Sequence, residues 1–106
     1  MQIPFVEPWR PVGEYSENLV KELQREITEK HCLWGRKVRP IAQRVDSDDV
    51  LFEIEERVPR YAIVHLTWSG EPEEDHRLPE TTEFSSLADW IRDGMMADHQ
   101  EFLERE

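Results

Sequence analysis

The sequence predicts an α+β fold: an antiparallel sheet of three to four strands with two helices packed on it, in the order α-β-β-β-(β)-α. Three observations carry this. Apolar residues recur at helical spacing towards both ends of the chain, at Leu19, Val20, Leu23 and Ile27 and again at Leu87, Trp90, Ile91, Met95, Phe102 and Leu103. Between them, VLFEIEE (residues 50–56) alternates apolar and acidic residues, and YAIVHLTW (61–68) is rich in strand formers. DSDD (46–49) supplies the turn of a hairpin.

The elements follow in order. Residues 1–13 form an extended arm, because Pro4, Pro8 and Pro11 prevent helix, and its Ile3, Phe5, Val6 and Trp9 need apolar cover. That cover comes either from the same chain or from a second copy in a homodimer. Ser16 caps a helix over about 16–33, with Glu17 in its first turn and Gly35 as its stop. VRPIAQRV (38–45) is the first strand, and Pro40, which has no backbone donor, requires an edge position or a bulge. In 50–56, Val50, Phe52 and Ile54 share one face, and Glu53 and Glu55 the other. The 61–68 strand, apolar on both faces, belongs in the most covered part of the sheet.

SGEPEEDHRLPE (69–80) is a loop with five acids, and TTEF (81–84) can add a short fourth strand. Ser85 or Ser86 starts the last helix, 85–103, with Asp89 at capping-box distance from Ser86. Gly94, one turn after Trp90, allows a close approach of this helix to the sheet.

With 106 residues the chain is one domain, 1–106, with a single modest core. Four tryptophans are too many for a disordered chain. No apolar run approaches the roughly 20 residues of a membrane helix, and MQIPFVEPWRPV lacks the basic and apolar parts of a signal peptide. The single cysteine, Cys32, allows no internal disulfide and fits a reducing, cytoplasmic setting.

Charge is unevenly spread. Residues 1–60 carry ten Lys/Arg against twelve Asp/Glu, a net of −2, whereas residues 61–106 carry three against twelve, a net of −9. Residues 30–45 hold Lys30, Arg36, Lys37, Arg39 and Arg44 and no acid. A field of this sign repels phosphate backbones, which argues against nucleic acid as a partner. It speeds association with a basic protein, and the same charge also serves solubility.

Catalytic motifs are missing. The sequence contains no GxGxxG, GxxxxGK[ST] or GxSxG, which removes the familiar nucleotide and hydrolase signals. His31 and Cys32 are adjacent and point about 100° apart on a helix, so they do not share a metal. Asp75–His76 and Asp98–His99 are isolated pairs. No cofactor or metal site is expected. Cys32, beside Lys30 and Arg36, is either a thiol of lowered pKa or a small buried hydrophobe.

Two functional readings remain. In the first, the chain is a non-enzymatic binding module whose acidic loop, Glu71, Glu73, Glu74 and Asp75, meets a basic partner, with Trp68 at its base as either an aromatic anchor or a core side chain. In the second, both helices cover one sheet face, and the other face binds a small ligand or performs catalysis around Tyr61, His65 and Glu53. Glu53 or Glu55 would then orient His65. Without a nucleophile motif, the residues favour the first.

VHLTWSGEPE, the Pro79-Glu80-Thr81 that follows, and LADWIRDGMMADHQEF resemble a pattern in small, uncharacterised bacterial proteins, some of them immunity-like, protecting cells against toxins. The resemblance spans roughly 38–103 and implies a bacterial accessory or immunity-like role. It assigns no catalytic residue.

Overall fold

The computed structural model describes residues 3–14 and 16–105; Met1, Gln2, Tyr15 and Glu106 lie outside the described residues. The fold is α+β. Five strands, β1 (Trp9–Pro11), β2 (Val38–Arg44), β3 (Asp49–Ile54), β4 (Arg60–His65) and β5 (Glu80–Phe84), form one antiparallel sheet in chain order. Helix α1 (Ser16–Glu26) sits between β1 and β2. The chain ends in α2 (Leu87–Trp90), a π-helical turn (Ile91–Met95) and α3 (Met96–Glu104), which follow one another without a break.

The strand count exceeds the expected three to four by β1. The arm of residues 1–13, as far as it is described, folds onto its own chain and pairs Trp9–Pro11 with Ala42–Arg44 of β2. Three residues flanked by prolines leave little strand pattern to read, and an edge position tolerates Pro11. Pro40 does produce a bulge: the β2–β3 register shifts between Pro40 and Ala42. β4 lies between β3 and β5, as its two apolar faces require.

The helices cover opposite faces, so the molecule has three layers, and the arrangement that the second functional reading requires, with both helices on one face, is not the one adopted. Leu19, Leu23 and Ile27 pack with Val50, Phe52, Ile54, Ala62, Val64 and Leu66 on one face. Trp9, Trp90 and Met95 pack with Ala42 and Leu51 on the other, joined by Tyr61, Ile63 and Phe84. The physical reason is alternation. Leu51 and Ile63 point away from α1, and uncovered they would leave an apolar face in water.

Trp90 is fully buried, edge-on to Trp9 at 5.4 Å between ring centres and to Phe5 at 6.5 Å. Gly94 makes room for it: a Cβ there would stand 2.7 Å from Trp90 Cδ1. The close approach expected of Gly94 is thus mainly to the tryptophan one turn earlier. Ser86 caps α2 by accepting the Asp89 N–H at 3.1 Å.

A polar clamp ties the arm to the last helix. Trp9 Nε1–H donates to Asp98 Oδ2 at 2.9 Å, and Arg44 lies 3.5 Å from the same carboxylate while also pairing with Asp46 at 2.8 Å. Burial pushes the Asp98 carboxyl up, and the Trp9 and Arg44 contacts pull it down.

Helix α1 ends at Glu26, earlier than the expected residue 33. Its last carbonyl accepts the Glu73 N–H at 3.0 Å, and the chain then turns at His31. There Nδ1 accepts the Leu33 N–H at 3.0 Å, leaving Nε2 to donate to the Pro79 carbonyl at 2.9 Å. His31 is a buried structural histidine that fastens the segment before β5.

Candidate functional site

β4 stops at His65, and the chain then turns out of the strand rather than continuing it to 68. Leu66 still enters the core and donates its N–H to the Asp48 carbonyl at 3.3 Å. Trp68 then adopts φ 58°, the left-handed region that a bulky side chain rarely occupies. The residue is 48% exposed. Of the two roles the sequence allowed, core packing is not what the fold gives it.

Two acids of α1 hold this turn. Glu26 accepts the Thr67 N–H at Oε1 (2.9 Å) and the Trp68 N–H at Oε2 (2.8 Å). Glu22, one helical turn earlier, accepts the Gly70 N–H at Oε2, 3.0 Å away. Both side chains belong to buried residues, with Glu26 at 0% exposure. Desolvation, and then the neighbouring Glu22, raise the Glu26 carboxyl to about 7. Glu22 moves the opposite way, lowered first by its hydrogen bond with Glu26, with Gly70 and Arg25 adding to this.

Neither acid was singled out from the sequence, yet a signal was present. Positions 19, 22, 23 and 26 fall on one helical stripe, so Glu22 and Glu26 share the face of Leu19 and Leu23. Carboxylates on a buried face need donors, and the backbone of a nearby turn is a ready source.

A hollow of about 380 Å³ opens beside the indole, lined by Ser16, Asn18, Leu19, Arg25, Gln43 and Trp68 among others. The acidic loop continues from the turn. Glu73 accepts the Thr67 hydroxyl at 2.5 Å, and Asp75 pairs with Arg77 at 2.7 Å. That pairing holds the Asp75 carboxyl well below the usual carboxylate range. Glu71 and Glu74 are exposed. The four loop acids and Trp68 therefore occupy one continuous segment, with two of the acids engaged internally.

The alternative residues are divided. His65 Nδ1 lies 2.7 Å from Asp49 Oδ1, so Asp49, and neither Glu53 nor Glu55, is its carboxylate. The reason is register: Asp49 is opposite His65, whereas Glu53 is opposite Tyr61. Glu53 pairs with Arg39, and Tyr61 packs beneath the C-terminal helical segment. His65 lines a hollow of about 280 Å³ with Asp49, Ile63, Glu80 and Thr82, while Glu53 and Tyr61 line another of about 460 Å³ with Arg39 and Leu87. The sheet face that was expected to be open is covered by the last helix, so Tyr61, His65 and Glu53 do not form one site.

Cys32 is an exposed residue, and its thiol is pushed up by desolvation and by the Glu83 carboxylate, against the lowered value that Lys30 and Arg36 invited. Among the described residues no group of three His, Cys, Asp or Glu is placed to hold a metal ion, and no helix is long and apolar enough to cross a membrane.

No protein family, no curated protein and no solved structure matches the chain.

Proposed function

We propose that the chain is a non-enzymatic protein-binding module, an immunity-like or accessory protein of the bacterial cytoplasm, which engages a basic partner through Trp68 and the acidic loop. One observation carries the reading. Two buried carboxylates hold Trp68 in a left-handed turn with its indole half in solvent. Burying acids and straining a tryptophan backbone both cost stability, and neither gains core packing from the indole. Such expense at an exposed aromatic is characteristic of a preorganised anchor. The hollow beside the ring gives a partner side chain somewhere to enter, and the −9 net charge of residues 61–106 steers a basic surface towards it.

The partner is first to be captured from native cells on immobilised wild-type protein, and its association then followed at low and high salt. Replacing Glu71, Glu73 and Glu74 by Gln and Asp75 by Asn together should slow association at low salt by about tenfold or more. Glu71 and Glu74 should account for most of this, since Asp75 is already paired with Arg77. Trp68→Ala should instead speed dissociation, with a loss of about 2 kcal/mol or more in affinity. Wild-type kinetics in both variants would remove the loop and the indole from the interface.

A further inference from the structure

The buried acids do more than fix a turn, because they lie one helical turn apart on the same face and carry like charge when both are ionised. Between them they take up three backbone donors, from Thr67, Trp68 and Gly70, on either side of the indole. The charged groups facing the pair are Arg25 on α1, with Nη1 3.6 Å from Glu22 Oε1, and Glu73 on the loop. Glu73 approaches through its N–H on the Glu26 carbonyl and its carboxylate on the Thr67 hydroxyl. Arg25 touches Glu22 and is itself largely exposed, so it compensates only one of the two carboxylates.

We propose that Glu22 and Glu26 form a proton-operated latch on Trp68: one shared proton keeps the turn closed and the indole presented, and its loss loosens residues 67–70. The inference rests on the binding role proposed for Trp68 only for its consequence, since the latch itself is a property of the free protein. When Glu26 carries the proton it donates to Glu22, and both side chains still have oxygens to accept the three N–H groups. When the proton leaves, two charges share a buried site, and separation of the carboxylates pulls on the backbone they hold.

The sign follows from proton counting. Glu26, raised to about 7 in the folded protein, binds more proton there than its unfolded value of 4.5 allows. Stability from this group is therefore fully present below about 4.5 and is lost as pH rises from there through about 7. Glu22, lowered, acts in the opposite sense, losing its contribution as pH falls through its depressed value. The pair titrates as a unit, and the latch opens at its upper step.

The test needs no partner. In the intact protein, the amide resonances of Thr67, Trp68 and Gly70 and the side-chain carboxyl of Glu26 are followed by NMR between pH 5 and 9, with amide exchange measured alongside. The latch predicts one common midpoint near 7. It also predicts that protection at these three amides falls by about tenfold or more as pH rises from the lower end of this range through that midpoint and then levels off, tenfold being the factor that one unit of carboxyl displacement carries. Glu26→Gln should remove the transition, and Glu22→Gln, which keeps an acceptor for Glu26 but removes the like charge beside it, provides a second variant should the first fold poorly. Flat amide shifts in the wild type, or the same transition surviving in either folded variant, would overturn the latch. Partner binding by Trp68 could still stand in that case, because it is read by a separate experiment.

Discussion

Deletion of residues 3–12 is expected to abolish the cooperative thermal transition of this chain. The segment contributes β1 and places Trp9, which is only 2% exposed, against Trp90, with Ile3, Phe5 and Val6 packed around them. Losing one buried tryptophan typically costs about 3–5 kcal/mol, and the whole stability of such a domain is about 5–15 kcal/mol. The deletion would also leave Asp98 without its Trp9 donor and strip the edge of β2. Calorimetry on the shortened protein checks this. A sharp transition near the wild-type temperature would show the arm to be a dispensable tail.

Trp90→Ala is expected to destabilise the protein by about 3–5 kcal/mol, as other truncations of buried aromatics do. Its ring joins the helical segment, the arm and the sheet, and Gly94 leaves it the space it fills. The Nε1–H has no acceptor among the described residues, so this residue contributes by packing and not by its polar atom. Trp90→Phe should accordingly lose much less than Trp90→Ala, because it keeps an aromatic ring and removes the unpaired donor. Urea denaturation of the two variants separates the effects; equal midpoints for Trp90→Ala and wild type would refute the packing.

Much of this architecture was legible because single residues make local demands. Pro40 asked for a bulge, DSDD for a turn and Ser86 with Asp89 for a helix start, and each is found, except that Asp49 of DSDD already belongs to β3. The alternation of Val50, Phe52 and Ile54 with Leu51 and Glu53 fixed the two faces of β3. What the alternation does not state is which helix takes which face, and the placement of both helices on one face failed there. It also passed over Leu51 and Ile63, whose burial on the second face required cover.

The site was partly legible. Trp68 and the acids after it stood out in composition, but a left-handed turn at a tryptophan has no propensity signal. Glu22 and Glu26 resemble ordinary surface acids of a helix until the stripe they occupy is counted against Leu19 and Leu23. The sequence points His65 to Glu53 or Glu55 because its partner, Asp49, falls within DSDD and lies opposite it only in the observed register.

The central claim is that the fold holds the Trp68 indole out, and that the indole does not hold the fold. The thermal melting of Trp68→Asn tests this most directly. Asparagine tolerates the left-handed conformation better than tryptophan does, and it adds none of the unfolded-state entropy that glycine would bring. The Glu22 and Glu26 contacts, which go to backbone N–H groups, survive the change. The account predicts a midpoint at or above that of the wild type. A midpoint lower by more than about 5 °C, roughly 1 kcal/mol for a domain of this size, would contradict it and make Trp68 a structural residue.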